Sequence, residues 1–319
     1  MSVRVLSEHD VRRLLPMDEC IAAMEGALAS LARAELHNPL RFVVRPAGEP
    51  TLMGLMPAHR GGPDAVYSLK VVCIAPANAA LGLDLHQGLV ALFDGATGAT
   101  RVLMNAGAIT SIRTAAVSAV ATKLLARPGS RTLAILGAGV QARAHLEAMR
   151  AVLPFEEVRV WSRTAGRAAE LEGVQEARSV EEALRGADVV VTATTAREPI
   201  VSREWLAEGA HVNAVGSSIP TTRELDTRTI ADAALFVDRR ESTLNEAGDY
   251  LFPIREGAIG PDHIRAEIGE ILVGAAEGRR DDSELTVFKS LGLAVEDLAA
   301  AEHVLRRAEA ENVGVEVEL

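Results

Sequence analysis

Between residues 16 and 34 the apolar positions fall at Met17, Ile21, Met24, Leu28 and Leu31. This four-three-four-three spacing lines one face of a helix and predicts that the face is buried. The period then changes. Apolar runs at 51–56, 66–74 and 88–93 read as strands, and Asp94-Gly95-Ala96-Thr97-Gly98 supplies a hairpin turn into another at 99–104. Strands that follow one another without helices between them predict an antiparallel or mixed sheet with its own domain. Residues 108–126, rich in Ala, Ser and Thr, read as one long, closely packed helix that Pro128-Gly129 ends.

From 131 onward strands and helices alternate: strand 132–136, helix 140–152, strand 158–161, helices near 165–172 and 179–185, then strands 188–192, 210–215 and 234–237. That alternation predicts an α/β fold with a Rossmann-type, doubly wound parallel sheet. A last helix at about 291–311 is expected to return to the first domain, leaving a cofactor cleft between the two. The expected division is an N-terminal α+β domain of residues 1–118 completed by 290–319, and a dinucleotide-binding domain of residues 119–289. The acidic stretch from Glu309 to Glu318 reads as a solvated tail.

The first strand of the alternating region breaks into Gly137-Ala138-Gly139-Val140-Gln141-Ala142, a Gly-x-Gly-x-x-Ala turn that opens a helix. Gly137 permits the tight turn, Gly139 leaves room for a pyrophosphate against bare backbone, and Ala142 lets helix and strand pack closely. About 20 residues further on, NAD-preferring cradles place an acidic residue for the ribose hydroxyls. Here the next strand ends in Ser162-Arg163-Thr164. A guanidinium and two hydroxyls suit a 2′-phosphate, so NADP(H) is the expected cofactor and NAD(H) the alternative. The plainer reading of Arg163 is a solvated loop residue.

Composition narrows the partners. The chain has 319 residues, 48% hydrophobic and 24% charged, enough for two cores in an ordinary globular protein. A net charge of −11 and 3% aromatic content argue against nucleic acid. No apolar run reads as a membrane span, and the charged N-terminus does not read as a secretory signal, so the expected location is the cytoplasm. Cys20 and Cys73 are expected to be buried free thiols. The eight histidines are scattered without ligand spacing, so no metal is expected.

No nucleophilic triad is evident, and hydride transfer needs none: it needs a cofactor, a proton donor and an anchor for the substrate. Three cations sit in apolar surroundings: Arg41 before Phe42-Val43-Val44, Lys70 within Ser68-Leu69-Lys70-Val71-Val72, and Arg113 within Ile109–Ala116. A cation so placed either reaches solvent or meets an anion. A substrate carboxylate would serve. The alternatives are a surface-seeking Lys70 and an internal salt bridge for Arg113.

Four segments together resemble the ornithine cyclodeaminase/mu-crystallin family, in order and over nearly the whole chain. They are Ile109–Ala119, Ile135–Ala142, Asn213–Ser218 leading to Arg223-Glu224-Leu225-Asp226, and Thr286–Asp297. Within the family the likeness leans to its ketimine-reductase members, through Ser162-Arg163-Thr164, His86-Gln87 and Phe288-Lys289-Ser290. The resemblance implies that Arg41, Lys70 and Arg113 converge on the substrate carboxylate with Gln87 lining the same pocket. It implies that Thr114, Gly139, Val140, Gln141, Ser162, Arg163 and Thr164 hold the cofactor, and that Val215, Gly216, Ser290 and Leu291 lie near the nicotinamide. It also implies a homodimer built through the N-terminal sheet.

Two departures bear on the reaction. Ser218 and Gly54 occupy positions where cyclodeaminases carry acidic residues, and without those carboxylates amine oxidation with ammonia release lacks an ammonium partner and a general acid/base. The expectation is an NAD(P)H-dependent reductase of cyclic ketimines bearing an α-carboxylate, with protonation through Lys70, Ser218 or water. Ser218 as a simple loop residue is the plainer reading. The rival readings are an amino-acid dehydrogenase or ornithine/lysine cyclodeaminase, and a non-catalytic protein that binds NADP and a small carboxylate.

Overall fold

Alternating buried and exposed residues build the first sheet. The computed structural model describes residues 2–318, apart from the side chain of Ala79. It separates into a unit of residues 1–113 with 293–319 and a unit of residues 114–292. The first unit opens with β1 (Ser2–Leu6), α1 (Glu8–Leu14), α2 (Met17–Ala32), β2 (Leu36–His37), β3 (Phe42–Val44), β4 (Leu52–Arg60), β5 (Val66–Ile74), β6 (His86–Asp94) and β7 (Thr100–Asn105). Then α3 (Ala106–Leu125) carries the chain out of it. All five periodic positions of α2, Met17, Ile21, Met24, Leu28 and Leu31, are buried as predicted. Each such side chain removed from water contributes on the order of 1.5–3 kcal/mol.

The second unit contains β8 (Thr132–Leu136), α4 (Val140–Val152), β9 (Glu157–Trp161), β10 (Gln175–Glu176), α5 (Val180–Leu184), β11 (Val189–Thr192), β12 (His211–Ala214), α6 (Thr227–Asp232) and β13 (Ala234–Val237). It continues through α7 (Arg240–Glu246), α8 (Gly248–Arg255), β14 (Ile264–Glu267), α9 (Ile268–Leu272) and β15 (Thr286–Lys289). The strand order is β10-β9-β8-β11-β12-β15-β13-β14. Every pairing in it is parallel. Strands β11, β12, β13 and β15 are buried throughout, as a sheet covered on both faces requires. Strand order reverses between β8 and β11, the switch point at which such sheets bind dinucleotides. Sequence periodicity missed β15, whose four residues insert between β12 and β13.

The chain closes the first unit with α10 (Ala294–Glu311) and β16 (Val315–Glu318). The sheet order there is β16-β1-β7-β6-β5-β4-β2, with β3 also on β4. It is mixed, because β1 and β7 run parallel and the other pairs antiparallel. Both α2 and the sheet pack against α10.

Three expectations need correction. The helix near 165–172 is a single tight turn at Ala168–Glu170, because Gly166 adopts a left-handed conformation (φ 81°) and only Ala168 and Leu171 bury apolar side chains. The acidic end is not a free tail. Its Val/Glu alternation forms β16, and Arg4 holds it by donating to Ala308 O, to Val313 O and to Glu316 Oε1. The 20-residue α3 is long and apolar enough to cross a bilayer, contrary to the sequence reading, yet 83% of its most apolar 18-residue stretch is buried inside the protein. It is a core helix.

Candidate active site

In the first unit β5 brings Lys70 to the face of the sheet that α10 covers. Lys70 Nζ lies 2.7 Å from Asp297 Oδ2 and 3.5 Å from Thr110 Oγ1. Arg113 donates through Nη1 to Glu296 Oε2 at 2.7 Å and through Nε to Asp297 Oδ1 at 3.0 Å. None of these four charged side chains is more than 4% exposed. Lys70 therefore does not seek the surface, and Arg113 has the internal carboxylate that stood as its alternative. Both anions sit in the first turn of α10, where a helix N-terminus favours negative charge.

The electrostatics bring the third cation in. Burial pulls the Lys70 ammonium from an ordinary 10.5 down to about 8. Asp297 opposes that fall, while the charges of Arg113 and Arg41 add to it. Arg41, half-buried ahead of β3, is thus within Coulomb range of Lys70. Burial alone would raise the Asp297 carboxyl, but Arg113 and Lys70 outweigh it and hold it below the usual carboxylate range. Lys70 remains easy to deprotonate even with a carboxylate at 2.7 Å, so further negative charge is welcome beside it.

Gln87 departs from the expected pocket. The unbroken β5–β6 register sets Val90 opposite Lys70 and Gln87 opposite Cys73, so alternation turns Gln87 to the other face of the sheet. Its amide donates to Asp84 O at 3.2 Å. Its neighbour His86 shares the Lys70 face; although its surface is exposed, partial desolvation by the surrounding atoms together with Lys70 and Arg113 keeps that imidazole below its ordinary value. Gly54, opposite Val72, also lies on the Lys70 face. A Cβ there would meet Val72 at 3.6 Å, an ordinary contact, so the backbone does not demand glycine at this position.

In the second unit the candidate cofactor residues collect at the carboxyl ends of the parallel strands: Gly137–Gln141 after β8, Ser162–Thr164 after β9, Val215 and Gly216 after β12, Ser290 and Leu291 after β15. Gly137 has φ 121°, and a Cβ there would fall 2.5 Å from Ala193 O. Gly139 is the N-cap of α4, and that cap has no side-chain hydrogen bond. A Cβ at Gly139 would meet nothing within 4 Å. The first amides of α4 thus carry no side-chain cap, which leaves them for a pyrophosphate to take. Arg163 is exposed and makes no hydrogen bond or ion pair with another described residue. The Ser290 hydroxyl is buried and has no hydrogen-bond partner among the described residues. These features fit a dinucleotide. Thr114, buried on α3, directly follows Arg113.

Sequence reading missed a buried polar network at the same strand ends. The Glu224 carboxylate accepts from Thr192 Oγ1 (2.6 Å), Gly216 N (2.8 Å), Thr194 N (2.8 Å) and Thr194 Oγ1 (2.7 Å). Asp249 Oδ1 accepts from Glu224 N and Leu225 N, and Asp249 Oδ2 lies 3.0 Å from Lys289 Nζ. Burial and the Asp249 charge push the Glu224 carboxyl up, against Lys289 and the two threonine hydroxyls. Of the two serines after Gly216, Ser217 is tied down through Thr222, whereas the half-buried Ser218 makes no hydrogen bond to another described residue. The Arg-Glu-Leu-Asp run was visible in the sequence, but nothing local marks its Glu as the centre of a cage.

Residues 1–312 match the ornithine cyclodeaminase/mu-crystallin family. The chain belongs to that family. It is 44% identical to ketimine reductase mu-crystallin of Mus musculus over 292 residues, 89% of this chain and 90% of the relative. Among solved structures it resembles the Thermococcus litoralis Δ1-pyrroline-2-carboxylate reductase in complex with NADH and L-proline, with TM-score 0.95 and 37% identity over 99% of this chain and 100% of that one. It also resembles an archaeal alanine dehydrogenase dimer with bound NAD, with TM-score 0.94 and 34% identity over the full length of both chains. The family's fold is therefore the fold seen here, a parallel dinucleotide-type sheet with a mixed α+β unit.

Proposed function

We propose that this protein is a nicotinamide-dependent reductase that converts a cyclic ketimine bearing an α-carboxylate into the cyclic amino acid, with pyrroline-2-carboxylate and piperideine-2-carboxylate as candidate substrates. The observation that carries this reading is the buried Lys70, 2.7 Å from Asp297 and pulled by burial down to about 8 with the charges of Arg113 and Arg41 adding to the fall. Such a group is charged at neutral pH yet ready to give up its proton, which is what protonation of an imine nitrogen asks of an acid. Arg41 and Arg113 supply the positive surroundings in which a substrate carboxylate is stabilised. The bound dinucleotide supplies the hydride for the imine carbon. With the Lys70 proton on nitrogen, C=N becomes CH–NH and the charges balance.

The side chains at 54 and 218 favour this reaction over cyclodeamination. Gly54 lies on the Lys70 face, and Ser218 follows Gly216-Ser217, so neither position offers the carboxylate that ammonia release would use. For the cofactor we place the 2′-phosphate of NADP(H) on the unpaired Arg163 with Ser162 and Thr164, while NAD(H) binds the same cradle more weakly. Thr114, Ala138, Val140, Gln141, Val215, Gly216, Ser290 and Leu291 complete the proposed dinucleotide site. The two free cysteines suit a reducing compartment, and we assign the protein to the cytoplasm.

We also propose a homodimer. Phe42, Leu55, Val71 and Leu89 face one another in register across β3, β4, β5 and β6, on the side of the sheet away from Lys70. Phe42 is 65% exposed there, and nearby Tyr67 is 50% exposed. A second copy covering this face would remove the apolar surface from water. Light scattering checks it.

The deciding assay offers a panel of cyclic imines, and keto acids with ammonia, to both reduced cofactors and follows loss of the reduced-nicotinamide absorbance. Turnover of the cyclic imines supports the proposal. Ammonia release from ornithine with catalytic NAD supports the cyclodeaminase reading instead, and cofactor binding with no turnover of any pair supports a binding protein.

A further inference from the structure

Glu224, Asp249 and Lys289 are at most 1% exposed and lie directly behind the loops that follow β11 and β12. Two carboxylates against one ammonium leave one negative charge. Lys289 Nζ is 3.0 Å from Asp249 Oδ2 and donates to Ala214 O at 3.1 Å, so its direct partners are Asp249 and the end of β12, and it reaches Glu224 only through space. The uncompensated carboxylate is Glu224. Burial and the Asp249 charge push the Glu224 carboxyl up, and against them stand two backbone N–H donors, one on each of its oxygens, together with the hydroxyls of Thr192 and Thr194, a cage that favours the ionised form. Gly216 is bare because a Cβ there would sit 2.5 Å from Glu224 Oε1 and 2.3 Å from Thr194 O. The Glu224 carboxylate thus lies directly against the backbone of Gly216.

We infer that the Glu224–Asp249–Lys289 network makes this site prefer the oxidised dinucleotide to the reduced one. The inference rests on the reading of Val215 and Gly216 as neighbours of the nicotinamide. An oxidised nicotinamide ring carries one positive charge and a reduced ring carries none. A fixed negative charge in a poorly solvated surrounding attracts the first and is indifferent to the second. When the reduced ring gives up a hydride, two electrons and a proton leave together and a positive ring is left in front of Glu224. The network therefore stabilises the product form of the cofactor and biases the bound couple toward giving hydride to an imine.

The test is a pair of binding titrations, NADP+ and NADPH separately, on the whole protein by fluorescence. Glu224→Gln and Asp249→Asn each change the network charge from minus one to zero, at different places. In either folded variant the ratio of the NADP+ to the NADPH dissociation constant is expected to rise by about tenfold, with NADPH affinity the less affected. A ratio unchanged in a folded variant, or equal losses for both forms, overturns the inference and leaves the network a purely structural one. Should neither variant fold, the unmodified protein decides. The couple bound to it must have a more negative potential than the free couple, and an equal or more positive value overturns the proposal. Failure of both dinucleotides to bind the unmodified protein would instead overturn the cofactor assignment beneath it.

Discussion

Lys70 and Asp297, 227 positions apart in the chain, form a buried ion pair 2.7 Å long in which neither side chain is more than 2% exposed. Two such charges cost several kcal/mol each to desolvate, and removing one partner leaves the other stranded, typically at about 3–5 kcal/mol. The pair is shared, because Arg113 also binds Asp297. Asp297 thus holds Lys70 charged against burial and two neighbouring cations, and the balance falls close to neutral pH.

That balance predicts a pH profile. With Lys70 as the proposed acid, which must be protonated to act, kcat/KM for imine reduction is expected to be flat below pH 8 and to fall tenfold per unit above the Lys70 value of about 8. Lys70→Met should lower kcat by about 100-fold or more and abolish this limb. Asp297→Asn removes the charge that holds Lys70 up and should move the limb to lower pH. Initial rates from pH 6 to 10 check all three, and an unshifted limb in Asp297→Asn would refute the coupling.

The two cradle glycines should respond differently to alanine. Gly139 has φ −86° and open space at its Cβ position, so Gly139→Ala is expected to melt like the parent while binding dinucleotide at least tenfold more weakly. Gly137 has φ 121° and backbone 2.5 Å away, so Gly137→Ala should be destabilised on its own by about 1–3 kcal/mol. Thermal melts with and without cofactor separate the two effects.

Arg163→Ala should weaken NADPH by about tenfold or more and NADH by much less, since a charge-assisted hydrogen bond contributes on the order of 1.5–3 kcal/mol. Equal losses for both cofactors would remove the phosphate assignment.

Acid stability should report two histidines. Burial holds His145 at about 4 and His211 at about 3, while an unfolded chain keeps each near 6.5. The unfolded state therefore binds more protons as pH drops below 6.5, and folded stability falls through the window from 6.5 down to those values. Between pH 7 and pH 5 each histidine should cost about 2 kcal/mol. Denaturant midpoints of the second unit's unfolding at the two pH values check it, and His145→Gln should flatten its share.

Sequence periodicity revealed α2, the long α3 and the alternation of the second unit because each has a clear period or a run of apolar residues. It missed β1, β15 and the helices between Thr227 and Leu272, which are short and carry little pattern of their own. Lys70 and Arg113 stood out as cations in apolar company, whereas their partners did not. Glu296 and Asp297 open α10 as acidic residues open many helices, and only the fold reveals that both anions face inward. Gln87 was expected beside Lys70, but alternation sends it and its neighbour His86 to opposite faces of the sheet, and Gln87 takes the face away from Lys70.

The acidic strand β16 has one further consequence. It borders β1 at the end of the sheet, and along it Glu316 and Glu318 alternate with Val315 and Val317. Charge along a sheet border discourages stray chains from adding on. Trimming the chain at 312 would bare the N–H and C=O groups of Val3, Arg4 and Val5, exchanging a repellent margin for an adhesive one, so shortened versions should clump long before their interiors loosen.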